Sequence, residues 1–588
     1  MHLITHTNQR TFKRKSLNIF LDERLWISNV QNKYEDAEYI VAEPYGLGNQ
    51  KVEKDYLLKK QLTKTIFPIL YKTLNEFHHT DHDSRFWKII VGHWLDKYLS
   101  VMINRVGAIE QCLSGYLVTS TTMLSYDKRV MVKSDLSSFI SACDDELWNH
   151  YLYQYIINNL NVDIDKQIIF GHQNKAKISR PPARKRKIIY FIFKNIFYIL
   201  NIFSRKDDGL IINSYMSKLY EAKFCLALGQ VPLFRRTKEY QVTKDANYEA
   251  RNKLSNKIIV DKKNSIEYLS HKLLFHLLPI CYLEGFTQMN QTVGGLPWPK
   301  SPKFIFTSNS FHSDEIFKLW TANKTKNGSK YYVGQHGNNY GTSKFLNPSI
   351  EEDTSDVFLT WGWSNNKKEV PTFVFKLLGK KYKHNPKGGV LLIQEIMYQK
   401  DTTWDGAAHF SKYINNLSVF VKGLNEPIRN ALTVRLHNYS RTYDLSEKRW
   451  NDFNNKVKID LGERPISKAY KESRLIIHAY DSTGILETLS QNIPTLALLN
   501  YSSYGTTGIE HVQDSAKPYY NLLIDAGIIH LSAESLYSKL NNIYNNIDYW
   551  WNQNSVQDAK NKFCNNYARA SKKPIKDLNL IFRQNKHI

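Results

Sequence analysis

SRLIIHAYDSTGILETLSQNIPTLALLN, residues Ser473–Asn500, carries the reading of the whole chain. Leu475-Ile476-Ile477 is a short apolar run of the length of a buried parallel strand. Asp481-Ser482-Thr483-Gly484 is a small polar turn, and Ile485 to Gln491 has apolar residues at helical spacing. Asn492 and Pro494 stop that helix, and Thr495 to Leu499 forms a second strand. The unit is strand, turn, helix, strand. Its turn lies at the carboxyl end of a strand, the edge at which open α/β sheets bind ligands. Helix-terminal N–H groups and two hydroxyls meet there, a chemistry that suits phosphate. An ordinary capped helix satisfies the same pattern, since Ser, Thr and Asp are the usual N-cap residues. Glu487 lies one helical turn after Thr483, so it can share that face and offer a carboxylate to a ribose.

Asp481-Ser482-Thr483-Gly484-Ile485-Leu486-Glu487-Thr488-Leu489, followed by Asn492-Ile493-Pro494-Thr495, resembles the donor-nucleotide segment of two-domain (GT-B) glycosyltransferases. The resemblance implies that the hydroxyl-rich turn meets the donor phosphate and that Glu487 meets the ribose.

Two further regions carry a likeness. LNIFLDERLW (from Leu17), VEKDYLLKKQL (from Val52) and RFWKIIVGHWL (from Arg85) resemble the N-terminal half of a family of bacterial surface-polysaccharide transferases from O-antigen and capsule gene clusters. Tyr332-Val333-Gly334-Gln335-His336-Gly337-Asn338-Asn339-Tyr340-Gly341, with Ser355-Asp356-Val357-Phe358-Leu359-Thr360-Trp361-Gly362-Trp363, is similar to the same family. More remotely it is similar to CDP-glycerol glycerophosphotransferases and capsule Kdo transferases. The likeness covers nearly the whole chain and is weakest in the 170s to 240s. It implies that the Gln335-His336-Gly337 loop lines an interdomain cleft. A histidine beside glycine at a strand end is exposed there, and imidazole can serve as acid, base or phosphate donor near neutral pH.

Other candidates follow from position. Glu395 comes just after the strand Val390–Ile393, as a base or sugar ligand. Arg435 and His437 close the strand Leu432–Leu436. Relatives often carry His-Pro at this point, whereas this chain has His437-Asn438. Arg435 offers charge-assisted contacts to phosphate. Lys517 opens a downstream helix and could reach a phosphate or an acidic sugar. Asp22 and Glu43 are further carboxylates at strand ends. Asp163-Ile164-Asp165 has the form of a metal-binding Asp-x-Asp but sits in a weakly patterned basic region, so no metal is expected. No cofactor is expected either; the nucleotide-sugar is a substrate.

A chain of 588 residues exceeds the size at which one core stops growing. The fold class expected is α/β, with two facing Rossmann-like domains of GT-B type and a helix-rich N-terminal half. Residues 1–380 would form the acceptor-side domain, with a helical insertion at about 145–290. Residues 388–588 would form the donor domain, joined by the basic linker Phe375–Lys387. Lys51 to Phe77 reads as helix, with Pro68 kinking or breaking it. Trp87, Trp94 and Tyr98 read as core.

The net charge of +25 favours anionic partners without choosing among them. Basic residues are spread through mixed-charge segments with no recognised nucleic-acid motif, so no nucleic acid is expected. Five cysteines without CxxC spacing argue against a disulfide framework or zinc site and suit a reducing cytoplasm. The N-terminus has no apolar signal region. Arg184-Lys185-Arg186-Lys187 precedes the apolar run Ile188–Phe203, which Arg205 and Lys206 close. The run falls short of the ~20 residues that cross a bilayer. It is readable as an interfacial helix at an anionic membrane surface or as a buried helix with basic caps. The expected location is cytoplasmic, with residues 184–206 as the membrane contact.

The leading expectation is a metal-independent glycosyltransferase. Its donor would be a nucleotide-sugar, best matched by a CMP-linked ulosonic acid such as Kdo or pseudaminic acid. Its acceptor would be a surface polysaccharide or a lipid-linked glycan precursor. A CDP-glycerol-type transferase, a nucleotide-sugar epimerase and a non-catalytic basic binding protein are the alternatives.

Overall fold

The computed structural model describes residues 1–25, 38–125, 128–160, 162–170, 204–237, 240–260, 265–396, 401–438, 446–453 and 457–584. Short runs, apolar and buried in the central strands and partly exposed at the edges β5 and β13, assemble into three sheets. Within the sheets every strand pair is parallel. Parallel sheets require helices on both faces, which is why their strands read as continuous apolar runs and not as alternating ones.

The first sheet contains β1 (His2–Ile4), β2 (Asn18–Phe20), β3 (Tyr39–Val41), β4 (Ser120–Leu124) and β5 (Asp165–Ile169), in the order β3-β2-β1-β4-β5. The second contains β6 (Leu210–Ile211), β7 (Phe304–Thr307), β8 (Lys330–Gly334), β9 (Val357–Thr360) and β10 (Glu369–Pro371), stacked in sequence order. The third contains β11 (Gly389–Ile393), β12 (Leu432–Arg435), β13 (Lys458–Asp460), β14 (Ser473–His478), β15 (Thr495–Leu498) and β16 (Ile529–His530). Its order is β13-β12-β11-β14-β15-β16. The α/β class is as expected. The N-terminal part, expected to be helix-rich, also carries a sheet of its own. The stretch 145–290 holds the edge strands β5 and β6 of two different sheets alongside its helices.

Strand order decides where ligands can enter. In the third sheet the chain builds outward from β11 to β13, then returns to the other side of β11 at β14. Loops leaving β11 and β14 therefore diverge and open a crevice at the carboxyl edge. The first sheet has the same reversal between β1 and β4, but protein fills its crevice. Asp405 N–H donates to the Tyr45 carbonyl at 2.8 Å, and Asn104 Nδ2 donates to the Thr403 carbonyl at 3.2 Å. A cavity of only about 20 Å3 remains there, lined by Asp22, Tyr45 and Trp404 among others.

Two long helices, Asn49–His78 and Ser84–Gly115, bridge the units. The first runs through Pro68 as one helix, so of the expected kink or break the break does not occur. Proline there costs a hydrogen bond to the carbonyl of Lys64, an exposed residue where water can replace it. The second helix is core over most of its length, with Trp87, Trp94 and Tyr98 fully buried. At the far end, the helix Pro574–Gln584 crosses back onto the second sheet. Phe582 stacks on Tyr332 with ring centroids 4.2 Å apart and packs edge-on against Phe304 and Phe306. No described helix is long and apolar enough to cross a membrane. The interfacial segment expected at 188–203 lies outside the described residues.

Candidate active site

The carboxyl ends of the second and third sheets open onto one cleft of about 1550 Å3. The third sheet supplies Ile393 and Gln394 after β11, Arg435 to Asn438 after β12, and His478 to Gly484 after β14. The second supplies Asn309 and His312 after β7 and His336 to Tyr340 after β8. The helices Asn49–His78 and Ser84–Gly115 form a further wall, with Tyr56, Lys59, Lys60, Lys64 and Lys88.

The turn after β14 has an unusual cap. Ser482 is the N-cap of the helix Thr483–Ser490, yet its side chain makes no capping bond. Its Oγ lies 3.1 Å from Nδ1 of the buried His478, whose Nε2 lies 3.2 Å from Thr488 Oγ1. Thr488 gives its own proton to the Gly484 carbonyl at 3.0 Å. His478 Nε2–H therefore donates to Thr488, and Nδ1 accepts from Ser482. Burial pushes the His478 pKa down to about 3, so the ring is neutral. With the hydroxyl turned inward, the Thr483 and Gly484 amides have no side-chain capping acceptor, and both residues line the cleft. The helix dipole adds positive potential at the same point.

The two sheets are fastened at this turn. Thr483 Oγ1 accepts from the Asn338 amide at 3.1 Å, and a Cβ on Gly337 would stand 3.2 Å from the same oxygen. Asp481 is buried and accepts three hydrogen bonds. Asn338 Nδ2 reaches its Oδ1 at 2.7 Å, while His511 Nε2 and Tyr520 Oη reach its Oδ2 at 2.9 Å each. Asp481 therefore ties the loop after β8 to the turn after β14, and Asn338 is the far side of that tie.

Glu487 lines the cleft one turn into the helix, and its Oε1 accepts from Lys376 Nζ at 2.6 Å. Lys376 comes from the basic segment expected to be only a linker. Arg435 and His437 both line the cleft. Arg435 is held by Asp460 at 2.6 Å and by the Arg464 carbonyl at 2.5 Å. Its guanidinium is oriented and its charge already matched.

His336 also lines the cleft, among Tyr215, Phe311 and Tyr340. Desolvation pushes its pKa down to about 4. Its Nδ1 lies 3.1 Å from Tyr340 Oη, and Tyr340 donates a very short bond to the buried Glu351.

Other candidates stand elsewhere. Gln335 is buried below the loop. Its Oε1 accepts from Trp361 N at 2.8 Å and Trp363 Nε1 at 2.9 Å, and its Nε2 donates to the Gly337 carbonyl at 2.9 Å. It shapes the loop and does not face the cleft. Glu395 is buried, accepting from Ser503 Oγ at 2.7 Å, and is not among the lining residues, whereas its neighbour Gln394 is. Lys517 pairs with the exposed Asp514 at 2.9 Å away from the cleft. Glu43, Asp163 and Asp165 are exposed outside it, and Asp22 lies at the filled crevice. Among the described residues no group of three or more His, Cys, Asp or Glu side chains could hold a metal ion.

Sequence reasoning missed Asn338, Tyr340, Glu351, Lys376 and His478. Asn338 and Tyr340 belong to the run that drew attention to His336. Lys376 lacks a local signal because its partner Glu487 is 111 positions away, whereas His478 and Glu351 bond residues within 4 to 11 positions and carry no motif that marks them.

The chain is thus a parallel α/β protein with an uncapped helix start at a strand-order reversal, the edge at which such sheets place ligand sites. The chain belongs to the LIC12162 family of transferases, whose family model matches residues 1–582. No curated protein matches it in sequence. Among solved structures it is similar to UDP-N-acetylglucosamine 2-epimerase from Rickettsia bellii, at 11% identity and a TM-score of 0.31, covering 79% of this chain and 95% of that one. It is similar to MurG from Acinetobacter baumannii at 12% identity and a TM-score of 0.29, covering 51% and 76%. It is also similar to WaaG, a glycosyltransferase involved in lipopolysaccharide biosynthesis, at 10% identity and a TM-score of 0.27, covering 64% and 98%. Likeness of this degree carries nothing about activity to this chain.

Proposed function

We propose that the protein is a glycosyltransferase that takes a sugar from a nucleotide donor held at the Ser482–Glu487 turn and helix. The observation that carries this reading is the uncapped start of the helix Thr483–Ser490 at the β11/β14 reversal, open to the cleft. Amide N–H groups and the helix dipole suit the donor phosphate. Thr483 has an accepting bond to Asn338, so its own proton can go to a phosphate oxygen. Glu487 is placed one turn on for the ribose, with Lys376 able to turn from its carboxylate to the leaving phosphate. Arg435 and His437 extend the polar wall on the same side. The protein's contribution would be orientation and stabilisation of the departing nucleotide.

The opposite wall suits an acceptor that carries negative charge. Lys60 and Lys64 are exposed one helical turn apart on the helix Asn49–His78, beside the aromatic faces of Tyr56 and Phe67. This basic setting is compatible with a CMP-linked ulosonic acid as donor and a surface polysaccharide or its lipid-linked precursor as acceptor. In this reading His336 handles the acceptor hydroxyl.

The test is turnover of a panel of CMP-, UDP-, GDP- and CDP-linked donors by the purified chain in the presence of EDTA. One nucleotide-sugar should be selected, and Glu487→Ala should abolish the selection. Selection of CDP-glycerol would remove the sugar from the reading. Absence of any binding would remove the donor site itself.

A further inference from the structure

Behind His336 stands a buried pair that the reading above does not use. Tyr340 and Glu351 are both buried, Tyr340 at 4% and Glu351 at 5% exposure. Tyr340 Oη lies 3.1 Å from His336 Nδ1 and donates a very short bond to Glu351 Oε1. The phenol has one proton and sits between two partners, so its bonding direction fixes the histidine. When Glu351 is ionised, the phenol proton points to the carboxylate. The phenol oxygen then accepts from His336 Nδ1–H, and Nε2 is left with its lone pair. When Glu351 is protonated, the phenol proton points to Nδ1, and Nε2 carries the hydrogen instead.

Resting on the glycosyltransferase reading, we propose that Tyr340 and Glu351 form a proton relay that lets His336 act as the base for the incoming hydroxyl without ever becoming an imidazolium. In this step the hydroxyl proton moves to Nε2, Nδ1–H moves to Tyr340 Oη, and the Tyr340 proton moves to Glu351 Oε1. The hydroxyl oxygen forms a bond to the anomeric carbon. The carbon–oxygen bond to the nucleotide phosphate breaks, and its electron pair leaves with the phosphate. Negative charge on Glu351 is thereby exchanged for charge on the departing nucleotide. The phenol and the imidazole are neutral before and after.

The surroundings favour such a path. Burial holds imidazolium formation at His336 far below neutral pH, so a simple base with full positive charge is costly there. The same burial raises the Glu351 carboxyl, making it a better proton acceptor, and raises the Tyr340 phenol, so tyrosinate is avoided. The other ionisable groups facing the relay include His93, His312, Asp96, Glu352 and Tyr504. His93 Nε2 is 3.7 Å from Glu351 Oε2, and its ring centroid is 5.3 Å from that of His312. Both rings are neutral through burial. His93 can steady the second carboxylate oxygen without adding charge. Tyr340 and Glu351 are positioning and relay residues; of the three, His336 is the one assigned to the incoming hydroxyl.

The experiment pairs a spectrum with a rate. Selective 15N-histidine labelling of the full chain, with the His336 ring assigned from its loss in His336→Gln, reports which nitrogen carries the proton. The expected neutral form has Nδ1–H and a bare Nε2. In Glu351→Gln the amide oxygen still accepts from Tyr340, so that form should persist. In Tyr340→Phe the preference for Nδ1–H should vanish. Transfer of the sugar to water, read as nucleotide released from whichever donor the panel selects, should fall about a hundredfold in kcat for both variants. KM should stay within about twofold. Thermal melts identify a variant that fails to fold, in which case the other carries the rate test. A wild-type ring with Nε2–H overturns the proposal on its own, whatever the donor is. So does an unchanged kcat in either folded variant. Failure of the donor panel with the expected tautomer intact counts against the glycosyltransferase reading and leaves the relay geometry standing.

Discussion

Asp481→Ala removes the acceptor on which three buried donors converge, from Asn338, His511 and Tyr520. A buried donor left without a partner costs about 1–3 kcal/mol. Asp481 borders the cleft, so water can reach part of the vacated space and the lower end of that range applies. Asn338 Nδ2 keeps the Asp481 carbonyl at 3.4 Å, so the summed cost for the other two donors is about 2 kcal/mol. It falls on the junction between the loop after β8 and the turn after β14, because those are the segments Asp481 joins. At 1.4 kcal/mol per tenfold change, local opening becomes roughly thirtyfold more frequent. Hydrogen exchange followed by mass spectrometry should show this in peptides covering 336–341 and 481–485, with peptides of the first sheet unchanged. Asp481→Asn keeps one carbonyl oxygen and can accept from Asn338, so it should open by about tenfold. Exchange of both segments in Asp481→Ala within about threefold of the wild type would refute the view that this carboxylate ties the two sheets together.

Three other outcomes follow from the geometry. Gly484→Ala would place a Cβ 2.5 Å from the His478 ring, so overpacking of about 1–3 kcal/mol should lower the thermal midpoint. Lys517→Ala should leave kcat/KM within about twofold, since Lys517 pairs with Asp514 outside the cleft. Burial pushes the Glu352 carboxyl from 4.5 up to about 7. The folded chain therefore holds this proton more tightly than the unfolded chain. Its contribution to stability is complete below pH about 4.5 and is lost as pH rises through about 7. Glu352→Gln retains an acceptor for the Ser349 amide and should flatten that part of the melting-temperature profile.

Residues that report on themselves were legible before the structure. Apolar runs such as Val390–Ile393 and Leu475–Ile477 are strands because parallel sheets bury both faces, and run length alone marks them. The turn and the helix after it are present, with the helix starting at Thr483, two residues before the pattern placed it. Strands such as His2–Ile4 and Ile529–His530 were not legible, since two or three residues carry too little periodicity. Site residues divide by the range of their partners. His336 and Glu487 announce themselves through local motif and helical spacing. Lys376, by contrast, faces Glu487 across 111 positions of sequence, and Asn338 faces Asp481 across 143. Glu395 was misjudged in its surroundings: a carboxylate just past a strand end usually faces the cleft, but Ser503 and Tyr413 bury this one. Pro68 shows that a helix can continue where the freed carbonyl reaches water.

The most direct test of the donor site is calorimetric titration of the wild type and Glu487→Ala with the free nucleotides CMP, UDP, GDP and CDP. One nucleotide should bind the wild type and lose at least tenfold in affinity in Glu487→Ala, while Lys517→Ala binds it as the wild type does. Equal affinity in all three proteins, or no binding to the wild type, would contradict the assignment of the Ser482–Glu487 segment as the seat of the donor.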